Sequence, residues 1–308
     1  MKNFIKMFLA ACLLMVFAFG VNAQSVGINA TGDAPNGSAM LDVSSTTKGF
    51  LPPRMTTAQR NLIPTPVEGL AIYNTDEKTL NIYNGTSWGF IIPFFCGQTF
   101  SDPRDGKNYS TVQIGTQCWM AQNLNVGTRI NGTEGQGNNS NIEKYCYSDI
   151  DANCTTYGGL YQWDEMMQYT TTQGAQGICP TGWHLPTDAE WITLTSYVGS
   201  QSTYLCNSNS NYIAKSLAAT TNWATTTGTC AIGNNLSANN ATGFTALPGG
   251  NRQDNSTFSS LEYNSNFWSS TPGTNLTANG QVLSNDFATV RNFQYDKPRG
   301  FSVRCIKD

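Results

Sequence analysis

The sequence predicts an α+β fold class: a disulfide-containing α+β domain preceded by a small, mostly β N-terminal segment. Three observations predict it. Every cysteine except Cys12, and every tryptophan except Trp88, lies after residue 94. Helical spacing of apolar residues is concentrated in the middle of that later part. Its tail alternates in the manner of strands, and so does much of the earlier segment. Helices followed by strands favour α+β over a wound parallel sheet. The chain accordingly parses as 1–23, 24–93 and 94–308.

The first 23 residues read as a secretory signal peptide. Lys2 and Lys6 precede an apolar run from Met7 to Val21, and small residues end at Ala23, the expected cleavage point. The run is shorter than the roughly 20 apolar residues that span a bilayer. "LAAC", Leu9 to Cys12, has the spelling of a lipoprotein box. Few apolar residues precede Cys12 and many follow it, which favours cleavage after Ala23. No later segment is apolar enough to cross a membrane. The expectation is an exported protein, extracellular or on the outer cell surface, with the periplasm as the alternative.

Composition excludes several classes. Charged residues are 12% of the chain, about half the usual ~25%. Losing a leader with Lys2, Lys6 and no acid moves the formal charge from −3 to −5. No basic run or stripe occurs, so nucleic acid is excluded as a partner. Aromatic residues make up 11% of the chain, too many for a disordered polymer. Without the leader eight cysteines remain: Cys96, Cys118, Cys146, Cys154, Cys179, Cys206, Cys230 and Cys305. An even number in an exported chain points to disulfides, although 105 pairings are open. The absence of any CxxC spacing removes thioredoxin and zinc-ribbon chemistry. Cys146–Cys154 and Cys206–Cys230 would each close a polar loop, and Cys179–Cys305 would tie the middle of the chain to its end.

In 24–93, Thr56 and Gln59 form a capping box for a short helix. Leu70 and Ile72, then Leu80 and Ile82, alternate as strands do. Asn84-Gly85 is a tight-turn signal before Trp88 and Phe90. About 70 residues make little core of their own, so this meander is expected to need a partner surface or to form a homo-oligomer. Val26 to Ile92 resembles a segment common at the start of exported Bacteroidetes proteins. It also resembles the shaft-entry regions of phage tail fibres, which implies surface display and trimer formation.

In 94–308, "TVQIGTQCWMAQNLN" reads as two strands about Gly115-Thr116. "GLYQWDEMMQY" is a short helix with Trp163 and Met167 four apart. Thr187 caps the next helix with Glu190, and Trp191, Leu194 and Val198 form its stripe up to Gly199. "YIAKSLAAT" gives a shorter helix with Ile213 and Leu217 on one face. "NFWSST", "NDFATVRNFQY" and "GFSVRCIKD" read as strands. In the last of these, Phe301, Val303 and Cys305 share a face.

The only histidine, His184, stands beside Cys179, Asp188 and Glu190. Each polar neighbour has a structural task at the helix start, so His184 reads as a hydrogen-bonded packing residue. One histidine cannot build a histidine-rich metal site. A carboxylate pair from Asp164, Glu165, Asp286 or Asp296 is formally open, but acids are mostly solvated. "NNATGFTALPGGNR" lacks the strand–helix context of a phosphate loop. Its Phe244 and Leu247 are expected in the core, and Arg252 is expected to meet an acid or a ligand.

"TVQIGTQCWMAQNL", "GLYQW", "CPTGWHLPTDAEW", "GFTALPGGNR", "FWSST" and "GFSVRCIKD", in this order, resemble the Fibrobacter succinogenes major paralogous domain (FISUMP) family over Cys96 to Asp308. That resemblance implies an exported, often surface-attached bacterial protein. "LPTDAEW" and "GFSVRC" also resemble the formylglycine-generating-enzyme family. The implied fold is C-type-lectin-like, with first and last strands brought together, and Cys179–Cys305 suits it. The enzyme's pair of metal-binding thiols has no counterpart outside the disulfide set, and the calcium–sugar motif of true lectins is absent. Neither activity carries over.

The functional expectation is therefore a non-catalytic adhesion or binding module for an extracellular ligand, carbohydrate or protein. Arg252, Tyr263, Trp268 and Tyr295 are its candidate contacts, because aromatic faces and arginine dominate binding surfaces. No cofactor is expected beyond the structural calcium that folds of this type often hold. The alternatives are a formylglycine-type thiol oxidase and a structural component of an oligomeric surface appendage.

Overall fold

The computed structural model describes residues 25–90 and 94–308. The chain divides into two compact units, Met1–Pro93 and Phe94–Asp308. The expected leader, with both of its cleavage readings, lies outside the described residues.

In the first unit, β1 (Val26–Ile28) and β2 (Leu41–Val43) form a two-stranded parallel sheet. A second sheet runs in the order β3 (Arg54–Met55), β4 (Ala71–Asn74), β5 (Thr79–Tyr83), β6 (Trp88–Phe90). Between β3 and β4 lies α1 (Thr57–Arg60), whose Thr56–Gln59 capping box is complete. The turn before β6 is held by the Asn84 side chain, which accepts from the N–H groups of Thr86 and Ser87. Gly85 takes the left-handed φ of 90° that the turn needs. The unit's centre is polar: Asn74 donates to Asn81 at 3.1 Å, and Arg60 donates to the same Asn81 oxygen at 2.8 Å. Ile72 is the only buried apolar side chain among this unit's described residues.

The second unit contains two five-stranded sheets. The first combines β7 (Thr99–Asp102), β8 (Lys107–Ile114) and β9 (Gln117–Met120) with β12 (Trp183–His184) and the terminal β18 (Ile306–Lys307). Gly115 makes the β8–β9 turn, so the "TVQIGTQCWM" hairpin forms where its turn signal lies. β10 (Thr128–Arg129) and β11 (Glu143–Lys144) form a small parallel pair. The second large sheet has the order β14-β13-β15-β16-β17. Its strands are β13 (Gly249–Arg252), β14 (Phe258–Leu261), β15 (Asn264–Pro272), β16 (Thr277–Ser284) and β17 (Arg291–Asp296).

Helix is scarcer than an α+β reading implies, and the protein is mostly β. The segments at Trp163 and Ile213 close only single turns, α3 (Trp163–Met166) and α5 (Ala214–Leu217). α2 (Asp151–Tyr157) has seven residues. Only α4 (Asp188–Ser200), with 13 residues, is long. Its capping box is complete, and Trp191, Leu194 and Val198 are its buried stripe. Four-residue helices gain too few hydrogen bonds to repay nucleation, so they persist only where packing holds them.

Two apolar clusters fill this unit. One gathers Trp163, Trp183, Trp268 and Leu185, and the other Trp119, Trp191, Phe244 and Phe267. The "GFSVRCIKD" tail threads between them rather than forming a continuous strand. Phe301, Val303 and Cys305 enter the first cluster and Ile306 the second. Arg304 lies over the rings of Phe244 and Phe267, at 4.5 and 5.4 Å. The alternation in the sequence is real, but both faces are buried. Arg304 is wholly inaccessible and has no carboxylate partner. It donates instead to Asn123 Oδ1 and to the carbonyls of Met120, Phe244 and Thr245. Burial lowers its pKa to about 9, so it remains a cation at neutral pH.

All eight cysteines of this unit are paired, as Cys96–Cys118, Cys146–Cys154, Cys179–Cys305 and Cys206–Cys230. Cys179–Cys305 links the turn before β12 to the residue before β18. It fastens an edge of the first sheet from inside the core.

Candidate functional site

α4 is fixed at its N-terminus by two carboxylates with different tasks. Glu190 closes the capping box through Oε2, which accepts from the Thr187 N–H at 2.8 Å. Its Oε1 lies 2.8 Å from His184 Nε2, and Asp308 Oδ1 lies 2.7 Å from His184 Nδ1. Carboxylates only accept, so both ring nitrogens donate and His184 is an imidazolium. The Glu190 bond raises its pKa, the Asp308 bond adds to this, and burial opposes them. Burial works to raise Glu190, but the bonds from His184 and Thr187 prevail and hold it below the usual carboxylate range. With both nitrogens occupied, His184 clamps β12, α4 and the tail together and has no lone pair to offer a substrate.

Asp188, on the first turn of α4, orients a second group. Gln281 on β16 and Asn292 on β17 stand opposite each other in the sheet. Both amide nitrogens donate to Asp188 Oδ1, that of Gln281 at 3.2 Å. The carboxylate dictates which end of each amide faces it, so both amide oxygens point elsewhere. Neither oxygen accepts a hydrogen bond within the described residues.

These two amides line an open groove of about 690 Å³ between α4, the Ser210–Ile213 segment and the Thr289–Asn292 segment. Trp191, Ile213 and Gln281 are its buried members and form the floor. Trp191 is packed among Trp119, Phe244 and Phe267. Its indole N–H is buried without an acceptor, an uncommon and costly state for a buried donor. Ile192 stands 55% exposed on the α4 wall. Ser196, Ser210, Asn211 and Thr289 add polar side chains, and no lining residue is charged.

The four candidate contacts named from the sequence do not come together as a surface. Trp268 is 1% exposed: it stacks on Phe301 at 4.4 Å and donates Nε1–H to the Tyr161 carbonyl. Tyr295 is half-buried, with its ring edge-on to the same Phe301 at 4.9 Å. Arg252 is 3% exposed and meets neither acid nor open surface. It donates to the carbonyls of Gly132, Glu134 and Pro298 and lies 4.4 Å over the Tyr145 ring. Only Tyr263 is exposed. The other three all pack against the Gly300–Ile306 tail, which runs through the core: Trp268 and Tyr295 meet Phe301, and Arg252 bridges to Gly300. Glu165 is likewise buried rather than solvated. Burial raises its pKa, while it accepts from the Glu143 N–H and the Tyr169 hydroxyl. Sequence reading missed the groove residues, which are neutral amides and hydroxyls without a motif. Ile192, an apolar residue off the α4 stripe, was the available signal.

Among the described residues no three His, Cys, Asp or Glu side chains gather in a metal-holding group. No helix among them is long and apolar enough to cross a membrane.

The second unit is thus a disulfide-linked, mostly β domain with a single long helix against its sheets. The model of the Fibrobacter succinogenes major domain matches residues 112–307, and the chain belongs to that family. A phage tail like trimerisation region matches residues 27–103. No curated protein matches the chain, and no solved structure matches it.

Proposed function

We propose that this chain is an exported, non-catalytic surface module, in which 24–93 assembles the chains into a trimer and 94–308 binds an extracellular ligand, carbohydrate or protein. The observation that carries the reading is a coincidence of position. The segment similar to a trimerisation region leaves large apolar residues open, with Met40 at 74%, Leu51 at 72% and Leu62 at 79% exposure, while Ile72 is the one apolar side chain buried among its described residues. The absence of catalysis is supported by the chemistry already spent: every cysteine of 94–308 is in a disulfide, and both nitrogens of His184 are engaged. Export is supported by the same disulfides. The β9–β18 pairing through Trp119 and Ile306 supports a C-type-lectin-like arrangement of the domain.

Light scattering on purified protein tests the assembly. The chain from Gln24 onward should weigh three monomers and a 94–308 version one. A monomer in both cases would sink the reading. A thiol count under denaturing, non-reducing conditions should give zero for 94–308, and two free thiols would favour the thiol-oxidase alternative.

A further inference from the structure

We propose that the groove between α4 and the β16–β17 edge is the ligand site of the domain, and that its ligand is an uncharged polyhydroxylated molecule, a neutral oligosaccharide. This deepens the binding-module reading and rests on it.

The groove between α4 and β16–β17 lacks charge: none of its lining residues carries one, so nothing there would offset the desolvation of an acidic or basic ligand. Asp188 holds the amide nitrogens of Gln281 and Asn292, so two amide oxygens without hydrogen-bond partners remain as acceptors. A polyol supplies the matching donors, since each hydroxyl both donates and accepts. Ser196 and Thr289, whose hydroxyls make no hydrogen bond within the described residues, complete the set on either wall.

Apolar surface lies beside these polar groups. Ile192 is more than half exposed on one wall and Val290 lies on the other, above the buried Trp191. Sugar rings combine apolar C–H faces with hydroxyl rims and match such a mixed lining. A peptide site would instead be expected to carry an aromatic or arginine anchor, and this groove exposes neither. The volume of about 690 Å³ lies within the ~300–1,000 Å³ range of small-ligand sites.

The test uses the chain from Gln24 onward on an array of neutral glucans, mannans, xylans and N-acetylglucosamine oligomers. Sialylated and sulfated glycans and a panel of extracellular-matrix proteins stand beside them. Three variants are compared with the parent. Ser196→Arg plugs the groove from an exposed helix position, Asn292→Ala removes one acceptor, and Tyr263→Ala alters an exposed residue outside it. The expected result is binding to neutral glycans alone, lost with Ser196→Arg and weakened about tenfold with Asn292→Ala, the scale of one hydrogen bond. Tyr263→Ala should bind as the parent does, and all three should melt with it. Binding to charged glycans or to proteins alone would overturn the inference while leaving the binding-module reading standing. So would neutral-glycan binding that survives the Ser196→Arg plug. Retention of nothing on the array would overturn both.

Discussion

The two units of this chain solve the problem of stability in opposite ways. The second buries two aromatic-rich clusters and adds four disulfides. The first has a hydrogen-bonded asparagine pair at its centre, one buried apolar side chain and no cysteine among its described residues. β1 and β2 make the contrast sharpest. In their parallel register Val26 faces Leu41 and Ile28 faces Val43, and all four are exposed. Partners in register point to the same side of a sheet, so the four side chains form one uncovered apolar patch. A two-stranded sheet of three residues a strand does not hold itself in water. Under the proposed trimer, these apolar side chains would meet other copies of the unit, and that interface would take the place of a core.

The largest expected effect breaks that arrangement. Leu41→Asp puts a carboxylate into the patch, where pairing would bury it without a partner. Sedimentation should then give a monomer in which 94–308 melts as before. A variant that stayed trimeric would show that the exposed β1–β2 face is not the contact.

The second unit invites a smaller and graded break. The Cys179–Cys305 pair closes a separation of 126 residues and the Cys146–Cys154 pair one of only 8. Chain-entropy reasoning assigns roughly 5 kcal/mol to the first and about 2.5 kcal/mol to the second. Chemical denaturation of Cys179→Ala/Cys305→Ala should therefore lose about twice the stability lost by Cys146→Ala/Cys154→Ala. Equal losses would mean that loop length does not set what these two disulfides contribute.

How much of this was legible in the sequence follows from how local each signal is. The Thr187–Glu190 capping box, the α4 stripe and the Gly115 turn depend on residues within a few positions of one another, and all three stand in the structure. The roles of Arg304 and Arg252 do not. Each cation is satisfied by carbonyls, those of Met120 and Phe244 for Arg304 and those of Gly132 and Pro298 for Arg252. Backbone acceptors have no sequence signature, so an arginine built into the core reads like one on the surface. Trp268 misled for a related reason. Its strand was legible, but which contacts cover that strand is not a local signal, and Trp268 lies in β15 stacked on Phe301. The candidate site was the least legible part, because Asp188 orients amides about a hundred residues away, and only the register of β16 and β17 sets Gln281 beside Asn292.

The smallest effect comes from the clamp at the start of α4, and it carries a sign. His184 has a raised pKa in the folded protein. Its contribution is therefore fully present below its unfolded value of ~6.5 and is lost as pH rises through the folded value. Glu190 has a lowered pKa. Its contribution is present above its unfolded value of ~4.3 and disappears as pH falls through the folded value. The charged pair is thus complete from the unfolded value of Glu190 up to that of His184. His184→Gln should cost ~1 kcal/mol at pH 6, the scale of a partly buried charged hydrogen bond, and the cost should shrink as pH rises from the unfolded value of ~6.5 through the raised folded value. A cost that does not vary with pH would assign the residue to packing alone. The same titration separates the clamp from Asp188. His184→Gln loosens α4 through Glu190 and leaves the Gln281–Asn292 amides held, so a ligand in the groove should feel the variant far less than the melting point does.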